Sequence, residues 1–167
     1  NVVIPVSQVD EPVLMGCLDP VVTLDGTGSS QGSDIVYEWT TPDGNILSGQ
    51  NELSAEVDAP GAYTLLVQNL FNGCFSSVET TVVQDIEIPG VEAGPGDELT
   101  CVLVEIELQG QATGQTDRFV YEWTTDMVNI TSGASGLNPI VDEAGLYFLT
   151  VTDTINGCSA VDTVQIT

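Results

Sequence analysis

The 167-residue chain sets 25 acidic residues against one basic residue, Arg118, and has no histidine, for a formal charge of −24. Without cations to displace counterions it is excluded as a nucleic-acid binder, and the same balance argues against docking on anionic lipid. No apolar run approaches the roughly 20 residues that span a bilayer, and the lack of histidine and lysine removes the usual general base and amine nucleophile.

A shift of 84 positions, the interval from Cys17 to Cys101, overlays the chain on itself without a gap. Tyr37–Thr41 (YEWTT) falls on Tyr121–Thr125, Asn72-Gly73-Cys74 on Asn156-Gly157-Cys158, and Ile4-Pro5 on Ile88-Pro89. Gly26, Gly61 and Tyr63 fall on Gly110, Gly145 and Tyr147. A period of this length belongs to a folded module. Two modules are expected, residues 1–84 and 85–167, as a segment of a longer array or a minimal pair. Beginning at Asn1 with no leader-like stretch, the chain reads as processed or excised, and export is inferred.

In chain order, Pro20–Leu24 reads as a strand with Val22 and Leu24 inward. Ile35, Tyr37 and Trp39 then alternate inward against Asp34, Val36 and Glu38. Pro42-Asp43-Gly44-Asn45 is a turn, followed by short strands near Ile46–Ser48 and Leu53–Val57. Ala59-Pro60-Gly61 breaks the chain before Tyr63, Leu65 and Val67 alternate again. Asn72-Gly73 predicts a type I′ hairpin turn into the last strand, as does Asn156-Gly157. Ile88–Gly96, rich in proline and glycine, suits a module boundary. In the second copy Val104-Glu105-Ile106-Glu107-Leu108 alternates as a half-buried strand, and Phe119, Tyr121 and Trp123 repeat the tryptophan strand. No segment keeps helical spacing. The fold class expected is all-β, two tandem immunoglobulin-like β-sandwiches of about seven strands each. Trp39 and Trp123 anchor the two cores. Tyr63 and Tyr147, each after Gly-x, are expected tyrosine corners.

Modules of this size bury only roughly 60 to 65% of their unfolded surface and need bracing. The cysteines are equally separated in both copies and form no Cys-x-x-Cys, which suits disulfides in an oxidising, extracytoplasmic compartment. A bond from Cys17 to Cys74, and one from Cys101 to Cys158, would each restrict the unfolded chain by roughly 4 kcal/mol.

Val22–Ser30 (VTLDGTGSS), Tyr37-Glu38-Trp39, Gly61-Ala62-Tyr63-Thr64 and the closing Asn-Gly-Cys resemble the PKD-type immunoglobulin-like repeat. The likeness is to its cysteine-bearing form, found in tandem in giant secreted surface proteins of gliding and predatory bacteria. Val91–Thr100 (VEAGPGDELT) is similar to that repeat's AGPD-type opening. The resemblance implies attachment, gliding or prey capture, with several chains wound together. Leu24 and Leu65 stand where antibody domains place their inter-sheet cysteines, so any bridge lies elsewhere. The preferred pairing stays within each module and needs the segment before Pro20 to run beside the last strand, since paired α-carbons lie within about 7 Å. The rival pairing joins neighbouring modules, Cys17 to Cys158.

Catalysis is not expected. Glu38 and Glu122 read as solvated outward positions, and without lysine no Lys-Asn isopeptide bond can form. No cofactor is required, and calcium is the one ligand with a case. Its proposed site is the module junction, where Asp85, Glu87, Glu92, Asp97 or Glu98 meets Asp153. Asn129-Ile130-Thr131 fits a glycosylation sequon. Four outward positions are apolar, Val36, Leu66, Val120 and Phe148, and on one sheet face they would offer a lateral contact. The reading is a non-enzymatic structural repeat of an extracellular stalk or filament at the cell surface. Its partners are neighbouring repeats and other copies of the same chain, not nucleic acid or membrane. The alternatives are a carbohydrate- or partner-binding module and an accessory domain of a secreted hydrolase.

Overall fold

The computed structural model describes residues 3–12 and 14–167. They form two compact units, the first ending at Ile86 and the second running from Glu87 to Thr167. Both are all-β, with one 3-10 turn at Thr116–Arg118.

The first unit packs two antiparallel sheets face to face. One has the order β1-β4-β3, from Val22–Asp25, Ser54–Val57 and Ile46–Ser48. The other has the order β2-β5-β6, from Ile35–Thr40, Gly61–Asn69 and Phe75–Val82. Alternation dictates which face is buried. Val22, Leu24, Trp39, Ala55, Val57, Tyr63, Leu65 and Val67 close the core, whereas Val36 and Glu38 face outward. Burying side chains of this size contributes about 1.5–3 kcal/mol each.

The second unit repeats the plan with β7 (Gly90–Glu92), β8 (Ile106–Glu107), β9 (Gln111–Thr113), β10 (Phe119–Thr125), β11 (Ile140–Val141), β12 (Gly145–Asp153) and β13 (Ser159–Ile166). Its long sheet is β10-β12-β13, opposed by the pairs β8-β11 and β7-β9. Trp123, Tyr147, Leu149 and Val151 occupy the positions of Trp39, Tyr63, Leu65 and Val67.

Gly26 and Gly110 show why the period holds at glycine. A Cβ on Gly26 would lie 2.5 Å from the Leu53 carbonyl oxygen and 2.7 Å from Leu65 Cδ2; on Gly110 it would lie 2.6 Å from Leu137 O and 2.9 Å from Leu149 Cδ2. At both positions the backbone N–H donates to that same carbonyl, at 2.9 and 3.0 Å. The hydrogen bond therefore draws the chain closer than any side chain permits.

Two local expectations are corrected. The strand predicted over Val104–Leu108 shrinks to Ile106–Glu107, and Val104 is 62% exposed. A turn just upstream is responsible: the Thr100 N–H donates to Leu103 O at 2.9 Å, and Thr100 Oγ1 accepts from the Leu103 N–H at 2.9 Å. The Asn-Gly turns are not type I′, which needs positive φ at both central residues. Gly73 and Gly157 have φ of +72° and +71°, and no non-glycine residue described has positive φ. The Gly73 N–H donates to Asn69 O and the Asn69 N–H to Cys74 O, both at 2.8 Å, which closes a four-residue loop.

Candidate functional site

Each unit has a leading pole, where the chain enters, and a trailing pole, where it leaves. The side chains that define them explain the residues the two copies share.

At the leading pole of the first unit, Asn69 Oδ1 accepts from the Phe71 and Asn72 N–H groups at 2.9 and 3.4 Å. Asn72 Oδ1 accepts from the Cys74 N–H at 2.9 Å, while its Nδ2 donates to the Val3 carbonyl at 2.9 Å. One amide thus shapes the turn and pins the incoming segment. In the second unit Asn156 Oδ1 accepts from the Cys158 N–H at 2.9 Å, and its Nδ2 donates to Glu87 O at 3.0 Å. An amide is needed because a carboxylate cannot donate and a hydroxyl cannot reach both partners.

Asp153 takes the place of Asn69. Its Oδ1 accepts from the Ile155 and Asn156 N–H groups at 2.8 and 3.3 Å, and its Oδ2 accepts from Arg118 Nε at 2.7 Å. Asp153 is 1% exposed. Burial pushes its carboxyl upward, but the Ile155 N–H, Arg118 and the Asn156 N–H together hold it below the usual carboxylate range. The sole cation of the sequence therefore answers a buried charge.

At the trailing pole of the first unit, Met15 bridges Gln84 in parallel, with its N–H donating to Val83 O at 3.0 Å and its carbonyl accepting from Asp85 N–H at 2.9 Å. The segment before Pro20 does run beside the last strand. Cys17 follows in the turn closed by the Gly16 N–H on Asp19 O, 3.2 Å. The second unit repeats this: the Leu99 N–H donates to Thr167 O at 2.7 Å, and Cys101 lies in the Thr100–Leu103 turn. The tyrosine corners lie at the same pole, Tyr63 donating to Ala59 O at 2.6 Å and Tyr147 to Glu143 O at 2.7 Å. Burial, then the neighbouring Glu143 and Asp142 charges, push the Tyr147 hydroxyl upward.

Those poles overturn the preferred cysteine pairing. Cys17 and Cys158 are each disulfide-bonded, whereas Cys74 and Cys101 are free thiols, so neither Cys17–Cys74 nor Cys101–Cys158 is formed. The eight residues of β6 separate Cys74 from the trailing pole, about 26 Å at roughly 3.3 Å per residue, far beyond disulfide reach. The eight residues of β13 separate Cys101 from Cys158 in the same way.

Within the second unit the calcium set divides: Glu87 and Asp153 line one small cavity, whereas Asp97 stands apart from Asp153. Asp97 bridges Ile166 at the trailing end of β13, while Asp153 stands beside Cys158 at its leading end. Asp97 Oδ1 is taken by the Glu98 N–H at 2.8 Å. Asp85 is half-buried, and Glu87, Glu92 and Glu98 are exposed. Among the described residues no three carboxylate, cysteine or histidine side chains come together to hold a metal. Glu38 and Glu122 are exposed on outward strand positions.

Of the apolar outward residues, Val36 and Leu66 are diagonal neighbours, since Val36 stands opposite Gln68 and Leu66 opposite Glu38. They line an open groove of about 600 Å³ with Ile35, Tyr37, Glu38 and Asn51. In the second unit Val120 stands opposite Thr152 and Phe148 opposite Thr124, four residues apart along the sheet, so they form no such pair. Sequence reasoning missed the roles of Asn69, Asp153 and Arg118. The signal was present in a lone cation placed one residue before a core strand.

The fold is immunoglobulin-like. Over 97% of this chain, a three-domain N-terminal fragment of the Highly Immunogenic Outer Capsid protein (Hoc) of bacteriophage RB49 superposes with a TM-score of 0.51 at 17% identity. The chain spans 58% of that fragment's length. Titin domains I67–I69 align over 99% of this chain and 66% of theirs, at TM-score 0.48 and 14% identity. No protein-family model matches the chain, and no curated protein matches it. Among the described residues no helix is long and apolar enough to cross a membrane.

Proposed function

We propose that the chain is a non-enzymatic spacer, two PKD-type immunoglobulin-like repeats from the stalk or filament of a large secreted bacterial surface adhesin serving attachment, gliding or prey capture. One observation carries the reading. In each unit the incoming segment is pinned at one pole by the Asn72 or Asn156 amide, and the last strand leaves at the opposite pole beside Met15 or Leu99. Modules that admit and release the chain at opposite ends add length with each repeat. Dense negative charge keeps such surfaces apart in solution, and the disulfide chemistry suits an extracellular setting.

Small-angle scattering on this chain and on its tandem duplication tests the proposal. The maximum dimension is expected to grow in proportion to module number. A compact particle whose dimension grows only as the cube root of mass would overturn it. The rival reading, a glycan- or partner-binding module, draws on the groove at Val36 and Leu66. It is disfavoured by the complete burial of Trp39 and near-burial of Trp123, which leaves neither indole as a sugar platform. Selective micromolar binding on a glycan array, abolished by Leu66→Asp, would promote it.

A further inference from the structure

The four cysteines occupy only two kinds of position, and each kind exists in two chemical states. Cys17 and Cys101 are equivalent, both in the trailing-pole turn that follows the parallel bridge to the last strand. Cys74 and Cys158 are equivalent, both at the leading pole, with their N–H groups fixed by the Asn72 and Asn156 side chains. One member of each kind is oxidised, Cys17 at a trailing pole and Cys158 at a leading pole. The other member of each is a free thiol, Cys101 exposed and Cys74 half-buried. Sites that hold disulfides in one copy are thus vacant in the other with the same backbone around them.

We propose that Cys101 and Cys74 are joining thiols, which link this pair of units to a further unit of the same kind through a disulfide from trailing pole to leading pole. A second copy of this chain carries such a unit and serves as the partner. The inference deepens the spacer reading and rests on it, since only an end-to-end array brings a trailing pole to a leading pole. The contact is heterologous, so it propagates wherever the rotation between copies does not close a ring. Formation needs an oxidant, here a small-molecule disulfide such as oxidised glutathione. The Cys101 thiolate attacks it, forming a mixed disulfide and releasing one glutathione thiol. The Cys74 thiolate of a second copy then attacks the Cys101 sulfur and releases the other. Two protein thiols and one oxidised glutathione become one protein disulfide and two reduced glutathiones.

The experiment incubates the purified chain, its existing disulfide intact, with oxidised glutathione and reads the products on a non-reducing gel and by peptide mass spectrometry. A ladder of dimers, trimers and higher species is expected, with Cys101–Cys74 as the linking peptide. Cys74→Ser and Cys101→Ser, mixed in equal amounts, should stop at a heterodimer and lose every higher band. Each variant alone should stay monomeric and glutathionylated. Wild-type monomers carrying only glutathione caps would overturn the proposal. So would linking peptides that join Cys74 to Cys74 or Cys101 to Cys101. Either failure leaves the spacer reading standing, because that is judged separately by scattering.

Discussion

The two copies keep the outline of both poles and diverge in the turn that follows the tryptophan strand. In the first, Trp39 Nε1 donates to Glu52 O at 3.1 Å, and Thr41 Oγ1 donates to Ala62 O at 2.7 Å while accepting from the Gly44 N–H at 2.8 Å. Asp43 Oδ1 accepts from the Ala62 N–H, and the Tyr63 hydroxyl accepts from the Asn45 N–H, both at 3.0 Å. In the second, Trp123 Nε1 and Thr125 Oγ1 are buried with no hydrogen-bond partner. The turn Pro42-Asp43-Gly44-Asn45 has become Asp126-Met127-Val128-Asn129. A Cβ at Gly44 would collide with the Tyr63 hydroxyl, so the first copy needs glycine there; the second places Val128 at that position and packs it against the core. A polar clamp has been exchanged for apolar packing. The sandwich tolerates the exchange because its outline is set by the tryptophan and the glycine beneath it, which both copies keep.

The largest effects should fall where the copies do not differ. Gly26→Ala and Gly110→Ala each press a methyl group against a backbone carbonyl that cannot rotate away, and each should cost about 3 kcal/mol. Amide hydrogen exchange, followed separately in each unit, measures both losses in one chain. Equal losses support a common core; a loss confined to one unit breaks the equivalence.

A smaller effect separates the copies. Trp39→Phe removes a donor from the Glu52 carbonyl as well as buried surface, whereas Trp123→Phe removes an indole N–H that has no partner. The first substitution should therefore cost about 1–2 kcal/mol more than the second. The same exchange readout, followed in the unit that carries the substitution, decides it. Equal costs would show that the Trp39 bond contributes nothing net.

Much of this fold was legible because alternation is a local signal. Val22, Leu24, Trp39, Tyr63, Leu65 and Val67 announce their inward faces, and their repetition at a fixed shift marks the modules. The Val104–Leu108 strand failed because Thr100 captures the chain in a turn, and a side-chain cap outcompetes a two-pair ladder. The cysteine pairing failed for a different reason. Spacing along a chain says nothing about which end of a sandwich a residue occupies; that depends on Met15 and Leu99 pairing with the far end of the last strand, a long-range contact. An apolar residue two positions before each of Cys17 and Cys101 was the available clue.

The smallest effect is a pH response that the Arg118–Asp153 pair confers on the second unit. The corresponding residues in the first are Asp34 and Asn69, and Asn69 serves the turn without titrating. Because Asp153 is held below its ordinary value of 3.8 in the folded state, its contribution is fully present above that value. It is lost as pH falls through the depressed folded value, where the unfolded chain binds the proton first. The first unit has its own acid-sensitive carboxyl: Asp25 is lowered by its backbone and side-chain bonds with Thr27, and its counterpart in the second unit is Gln109. Both units should therefore weaken in acid, the first through Asp25 and the second through Asp153. Arg118→Asp with Asp153→Asn rebuilds the first copy's residues in the second. That double variant should remove the Asp153 contribution to the acid response of the second unit's amide exchange as pH falls below 3.8, while leaving the response of the first unit unchanged. Arg118→Ala alone should do the opposite, since it leaves a buried carboxylate with only two backbone donors and must raise the pH at which the second unit gives way. An unchanged profile in Arg118→Ala would mean that the turn amides alone hold Asp153 ionised, and that the sole cation of the chain is dispensable to the fold.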